Sequence, residues 1–128
     1  AGELIRAEKQ SGSPLGKRID EFDAQGKLLP GSIVVEVLDK AISLERARGR
    51  HNYLLDGFPR SQDNVDAFNA KWQENVRMII SLECPEAVLE SRLLQRGEAG
   101  SGRWDDQDVQ VIRQRFANFR DQTAPVIQ

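Results

Sequence analysis

The stretch Asn52–Asn64, Asn-Tyr-Leu-Leu-Asp-Gly-Phe-Pro-Arg-Ser-Gln-Asp-Asn, constrains the fold more than any other part of the chain. A short apolar run, Tyr53 to Leu55, breaks at Asp56-Gly57, meets Pro59 and presents Arg60 just past the break. A buried strand that ends in an acid, a glycine and an arginine places charge at the carboxyl edge of a parallel sheet, where ligands sit in open α/β folds. The same residues also read as a strand, a turn and a solvated arginine.

The rest of the chain alternates helix and strand patterns. Residues 2 to 10 are expected to form a short helix, broken by Ser11-Gly12-Ser13-Pro14. Leu15, Ile19 and Phe22 then recur at helical spacing up to about Gln25, and Gly26 ends the pattern. After the apolar loop Lys27-Leu28-Leu29-Pro30-Gly31, Ser32 is placed to cap a third helix with Val34, Val37, Leu38 and Ala41 as its stripe. A strand at 53–55 follows, then a helix from 61 to about 74 with Val65, Phe68 and Trp72 on one face. The run Met78-Ile79-Ile80 within Val76 to Leu82 suits a strand buried on both faces, hence a parallel sheet. Pro85 fits the first position of the next helix, which carries Val88, Leu89 and Leu93. A glycine-rich loop at 97–106 leads to a last helix at about 107–122, whose expected buried face is Val109, Ile112, Phe116 and Phe119. This is α/β alternation. Two strands do not make a stable sheet by themselves, so its completion is expected from residues outside the sequence, a partner or unrecognised strands. The chain opens inside a helical pattern and stops as a helix finishes, and it reads as a piece of something larger.

Composition narrows the function classes. A length of 128 residues suffices for one domain with a modest core, and 30% charged against 39% hydrophobic residues indicates a soluble globular chain. The net charge of -2 gives no case for bulk attraction to nucleic acid or to an anionic membrane. The single cysteine, Cys84, rules out an intrachain disulfide and a cysteine-based zinc site. Without a span-length apolar run or a signal-peptide pattern, a cytoplasmic setting is expected.

The charges are unevenly spread. Arg92, Arg96, Arg103, Arg113, Arg115 and Arg120 crowd the last third. Arginine forks match phosphate geometry. Arg92 and Arg96 share a helix face, Arg96 and Arg103 bracket the glycine-rich loop, and Arg115 lies on the margin of the last helix's apolar face. Four arginines converging on one loop suit a polyanion such as a nucleotide phosphate. A solvated face paired with Glu90, Glu98 and Asp108 fits the same pattern. Asp105-Asp106 either caps the last helix or holds the loop arginines. His51 has no catalytic or metal-type neighbours in sequence.

In order along the chain, Ala-Gly-Glu-Leu-Ile-Arg at 1–6, Gly-Lys-Leu-Leu-Pro at 26–30, Asp-Gly-Phe-Pro-Arg at 56–60, Arg-Gly-Glu at 96–98, Ser-Gly-Arg-Trp-Asp-Asp at 101–106, Arg-Gln-Arg-Phe at 113–116 and Gln-Thr-Ala-Pro-Val-Ile at 122–127 resemble the nucleoside monophosphate kinase (adenylate kinase) family, most nearly its UMP-CMP kinase members. The resemblance implies a three-layer, P-loop NTPase-like parallel sheet flanked by helices. Residues 1–29 would form a helical monophosphate-binding segment, 95–106 a short lid, and 30–94 with 107–128 the core. It implies transfer of the ATP γ-phosphoryl group, with Mg2+, to CMP or UMP; an adenylate kinase and a non-catalytic nucleotide-binding module are the alternatives. Carried over by motif, Arg6 and Arg60 would grip the monophosphate. Ala1, backbone at Lys27, Leu28 and Leu29, and Gly57, Phe58, Pro59 and Arg60 would line its pocket. Asn64 would read the base, a shorter amide than the glutamine usual in adenylate kinases, although it also reads as a helix-start residue. Asp56 would lie near magnesium through water. Arg96 would cover the ATP side, and Arg103 and Arg115 would bridge the phosphates in transit. Pro59 would follow a cis peptide.

There are departures from the family pattern. The lid has one more residue than expected between Arg96 and Arg103 and one more between Arg103 and Arg115, which leaves Arg113 as a rival to Arg115. No Gly-x-x-x-x-Gly-Lys-Ser/Thr is present, so the 128 residues alone are expected to be inactive. A monomer is expected, with small nucleotides as its only partners.

Overall fold

The computed structural model describes residues 1–24, 29–73, 76–99 and 108–127. The chain forms two compact units, Ala1–Glu74 and Asn75–Gln128. The first unit contains α1 (Gly2–Gln10), α2 (Pro14–Ala24), α3 (Gly31–Ala47) and α4 (Gln62–Lys71). The second contains α5 (Glu86–Glu98), α6 (Val109–Asn118), a π-helical turn (Phe119–Thr123) and α7 (Ala124–Ile127).

In the first unit α3 is the element against which α1, α2 and α4 all pack. Its buried residues are Ile33, Val34, Val35, Val37 and Leu38, a wider face than the expected stripe because neighbours meet it on several sides. Ile33 and Val37 join Ile19 of α2 in the core, and Ile5, Leu15, Phe22 and Leu29 pack around them. The i, i+4, i+7 spacing of Leu15, Ile19 and Phe22 puts all three on the inward side of α2, and Ile19 is fully buried. The turn between α1 and α2 is built from serines. Ser13 Oγ accepts the Gly16 N–H at 2.9 Å, capping α2 one residue before Pro14.

The start of α3 differs from the expectation. The helix begins at Gly31 behind Pro30, and Ser32 lies inside it, exposed, rather than capping it. The cap comes from another helix: the Asp63 carboxylate in the first turn of α4 accepts the Gly31 N–H. A carboxylate is favoured there because a helix N-terminus carries partial positive charge. Gly31 leaves room for this contact, since a Cβ would stand 2.4 Å from the Asp63 carbonyl oxygen. Farther along, Lys71 pairs with Asp39 at 2.8 Å, a second tie between α3 and α4. Phe68 lies between Trp72, with ring centroids 5.0 Å apart, and Phe58 at 6.0 Å, both rings tilted against it.

The two expected strands are not formed. Residues 53–55 and 76–82 belong to neither helix nor strand, and among the described residues there is no strand. Leu54 is 85% exposed and Leu82 90%, and Val76, Met78, Ile79 and Ile80 are exposed as well. A strand of the fully buried kind needs a paired neighbour on its edge and layers on both faces; the described residues offer neither. An open apolar cleft of about 320 Å³ between α1, α3 and residues 52–55 is lined by Leu4, Leu38, Ile42 and Leu55.

In the second unit Pro85 caps α5 from outside instead of opening it. Asp108 caps α6, its side chain accepting the Gln110 N–H at 2.8 Å. Ile112 is fully buried on α6, but Phe119, at the head of the π-helical turn, is 48% exposed and leaves the face predicted for it. A π turn adds a residue per turn and so rotates the following side chains out of register. No helix among the described residues is long and apolar enough to cross a membrane.

Two stability predictions follow from these contacts. Ile19→Ala is expected to cost about 2–5 kcal/mol, the cost of an aliphatic core truncation, and Gly31→Ala about 1–3 kcal/mol as α3 and α4 are forced apart. Chemical denaturation monitored by circular dichroism measures both; an unchanged midpoint for Gly31→Ala would show that the α3–α4 contact is not this close.

Candidate functional site

The Asp-Gly-Phe-Pro-Arg segment is held as a tight turn between the start of α1 and the start of α4. Gly57 has φ +66°, a backbone conformation that side chains resist. Its bare Cα also makes space for Arg60: a Cβ would stand 2.9 Å from Arg60 Nη2. Arg60 Nε donates to the Gly57 carbonyl at 2.9 Å, so the guanidinium lies folded over the turn. The Phe58–Pro59 peptide is cis, as the resemblance implies. Phe58 is half-buried and anchors the turn by its ring contact with Phe68 of α4.

Two further hydrogen bonds fix the turn at its ends. The Ala1 backbone nitrogen donates to the Asp56 carbonyl at 2.7 Å, tying the head of α1 to the turn. Asn64 Oδ1 accepts the Arg60 N–H at 3.1 Å. Asn64 is a polar residue buried to 7% exposure in the first turn of α4, where its own N–H reaches the Ser61 carbonyl at 3.1 Å. It is thus a helix-start residue and a ligand of the arginine turn together. With the amide oxygen taken, its Nδ2 is the group left to donate; it makes no hydrogen bond among the described residues.

Arg6 is exposed on α1, with Nη1 3.5 Å from where a Cβ on Gly2 would be, and has no ion pair among the described residues. Asp56 is exposed too, and its carboxylate makes no hydrogen bond among them. The first unit therefore brings together Ala1, Asp56, Gly57, Phe58, Pro59, Arg60 and Asn64, on the unit that also carries Arg6. Leu29 is half-buried against the core, so its side chain faces inward. Lys27 and Leu28 lie outside the described residues.

In the second unit Arg96 is exposed in the last turn of α5 and Arg115 is half-buried on α6. Arg113 pairs with Glu90 at 3.4 Å, and Arg120 pairs with Glu86. For these two the solvated, paired-face reading holds, with Glu86 a partner that sequence spacing did not suggest. Arg103, Trp104, Asp105 and Asp106 lie outside the described residues.

Sequence reasoning missed four polar side chains that organise the first unit. Asp63 caps α3, and the buried Glu8 forms a part-buried hydrogen-bonded group with Ser13 and Lys40. The available signal was glycine. Gly16 and Gly31 both lie within helices, where glycine is unfavourable unless backbone must approach closely. Glu8's carboxyl is held below its ordinary range by its hydrogen bonds from Lys40 and then Ser13, against an opposing effect of burial.

Among the described residues no cluster of His, Cys, Asp or Glu large enough for an all-protein metal site is present. A single exposed carboxylate, Asp56, beside an arginine turn suits instead a hard cation that keeps its waters and leans on phosphate oxygens, the usual habit of magnesium.

Comparison with known proteins identifies the family. A family model described as adenylate kinase matches residues 1–128. The chain is 38% identical to UMP-CMP kinase 3 of Arabidopsis thaliana over 99% of its own length and 59% of that protein. It is 37% identical to uridylate kinase of Saccharomyces cerevisiae over 100% of its length and 62% of that protein. It is 33% identical to adenylate kinase of Flavobacterium psychrophilum, covering 98% and 66% respectively. The chain spans about three-fifths of the first two of these relatives. The match over every residue places it plainly: the chain belongs to the adenylate kinase family.

Proposed function

We propose that this chain serves a nucleoside monophosphate kinase that moves the γ-phosphoryl group of ATP to CMP or UMP. The observation that carries the reading is the hydrogen-bonded group of Ala1, Asp56, Gly57, Arg60 and Asn64, with Arg6 on the same unit. The two arginines suit a phosphate. Arg60 is oriented by the Gly57 carbonyl, and Arg6 has a guanidinium committed to nothing else among the described residues. A phosphate oxygen of the bound monophosphate attacks the γ-phosphorus in line, the β–γ bridging P–O bond breaks, and ADP departs with the electron pair. Such a transition state is loose and highly charged, so the protein's work is positioning and neutralisation.

Each named residue has a place in that account. Arg6 and Arg60 hold the acceptor phosphate. Backbone at Lys27 to Leu29 and at Gly57 to Arg60, with Ala1, forms the pocket wall. Arg96 serves the ATP side from a lid at 95–106, and Arg103 and Arg115 neutralise the phosphates in transit. The half-buried place of Arg115 on α6, against the exposed Arg113, favours Arg115 for that role. Asp56 would hold magnesium, through water, and the ion would supply charge neutralisation on the nucleotide phosphates. Residues 1–29 form the monophosphate-binding segment, and residues 53–55 and 76–82 act as strands of a parallel sheet whose neighbours lie outside the described residues; the exposure of Leu54 and Leu82 supports that reading. The protein works as a cytoplasmic monomer on small nucleotides.

Pyrimidine choice rests on Asn64. Its free amide nitrogen is a donor that suits a carbonyl oxygen or ring nitrogen acceptor on the base, and its short side chain leaves a small ring room to enter. The Arabidopsis and yeast relatives are named for pyrimidine nucleotides. The Flavobacterium relative is named an adenylate kinase, and AMP is the competing acceptor.

Phosphorylation of CMP, UMP and AMP by the full-length protein is expected to favour the pyrimidines by kcat/KM; a clear preference for AMP would refute the role given to Asn64. Arg60→Ala is expected to raise the monophosphate Kd by about 10- to 100-fold, the loss of one or two charge-assisted hydrogen bonds. The ATP Kd should stay within about twofold, because Arg60 belongs to the acceptor side. Calorimetric titration of both nucleotides decides this, and equal losses would remove Arg60 from the acceptor pocket. The 128 residues hold no phosphate-loop motif, and alone they are expected to transfer phosphate at a negligible rate in a coupled assay; brisk turnover would contradict that.

A further inference from the structure

The buried carboxylate of Glu8 has no part in the chemistry above. It lies on α1 two residues beyond Arg6, with a side chain only 9% exposed. Lys40 Nζ, from α3, donates to both of its oxygens at 2.9 and 2.8 Å. The Ser13 hydroxyl donates to Oε1, and Ser13 Oγ in turn accepts the Gly16 N–H that begins α2. Gly16 lies directly on the Glu8 backbone, where a Cβ would come within 2.4 Å of the Glu8 carbonyl oxygen. One carboxylate therefore fastens α1, α2 and α3 at a single point.

The helix held in this way cannot set its own direction. α1 has nine residues, Leu4 is 39% exposed, and Ile5 is only half-buried. A helix of that length is marginal in isolation, so its position comes from its contacts. It is pinned near its C-terminal end by Glu8 and at its head by the Ala1 bond to the Asp56 carbonyl. Arg6 lies between the two pins.

We infer that Glu8 and Lys40 are positioning residues for the acceptor phosphate: their ion pair, completed by Ser13, sets the direction in which α1 presents Arg6. The inference rests on the reading of Arg6 as a phosphate ligand. Lys40 is half exposed but Glu8 is buried, so removing the ammonium leaves a buried carboxylate without its cation and releases the joint. An arginine displaced by about an ångström then loses much of its hold on a phosphate.

The test uses the full-length protein, with CMP, UMP and ATP as ligands. Lys40→Met keeps the stem and removes the charge; Lys40→Arg restores it. Lys40→Met is expected to raise the monophosphate Kd about tenfold, as misplacement of one ligand implies. The ATP Kd should stay within about twofold, since uniform damage would lower both affinities. Lys40→Arg should recover most of the loss. Amide hydrogen exchange should quicken across residues 2–10 in Lys40→Met and stay unchanged in α4. If Lys40→Met does not fold, Glu8→Gln, which keeps an acceptor for Ser13, carries the same expectation. Wild-type binding with unaltered monophosphate affinity in the variant, or an equal loss of ATP affinity, overturns this inference alone. A wild-type protein that binds none of the monophosphates overturns the functional reading and this inference with it.

Discussion

The Asp63 carboxylate on the first N–H of α3 is the contact on which the site depends. It joins the start of α4 to the helix that organises the first unit, and Gly31 lets the two backbones meet. The next residue, Asn64, is thereby fixed in a buried position from which its side chain receives the Arg60 N–H. The arginine turn is thus built outward from the core: α3 positions α4, α4 positions Asn64, and Asn64 with Gly57 positions Arg60. Burying an amide is costly unless it is hydrogen-bonded, and here its oxygen is satisfied by the residue it has to orient.

Charge performs a similar service in the interior. Glu8 is buried and still ionised because Lys40 and Ser13 supply the hydrogen bonds that water would. Its folded pKa is lowered, so its stabilising contribution is fully present above the ordinary carboxylate range and is lost as pH falls through the lowered value. The surface pairs differ. Arg18 with Glu36 at 2.9 Å is half-exposed at both ends, where water and salt weaken the attraction.

Helices were legible in the sequence because their signals are local. Leu15, Ile19 and Phe22 share a face whatever surrounds them, and Pro14 marks the start of α2 by its chemistry alone. Caps supplied from elsewhere were not legible. Nothing near Gly31 announces that Asp63, 32 residues later, takes its N–H. The strand pattern was legible as a demand rather than as a structure. Met78-Ile79-Ile80 has the composition of a segment buried on both faces, yet it is exposed here because pairing depends on neighbours distant in sequence. The same division holds at the site. The motif at 56–60 pointed to the turn and to Arg60, while the Ala1 and Asn64 hydrogen bonds and the Glu8 group required the tertiary arrangement. Arg113 and Arg115 differ by two positions on one helix; the apolar-face pattern already put Arg115 at its margin, and the structure has Arg115 half-buried and Arg113 exposed.

In the proposed kinase the arginine turn, the head of α1 and the buried amide form one pocket. A crystal structure of the full-length protein soaked with CMP examines this directly. The account predicts the phosphate within hydrogen-bonding distance of the Arg6 and Arg60 guanidinium groups, with the base against the Asn64 amide nitrogen. A CMP phosphate bound away from both arginines, or a base turned away from Asn64, would contradict it.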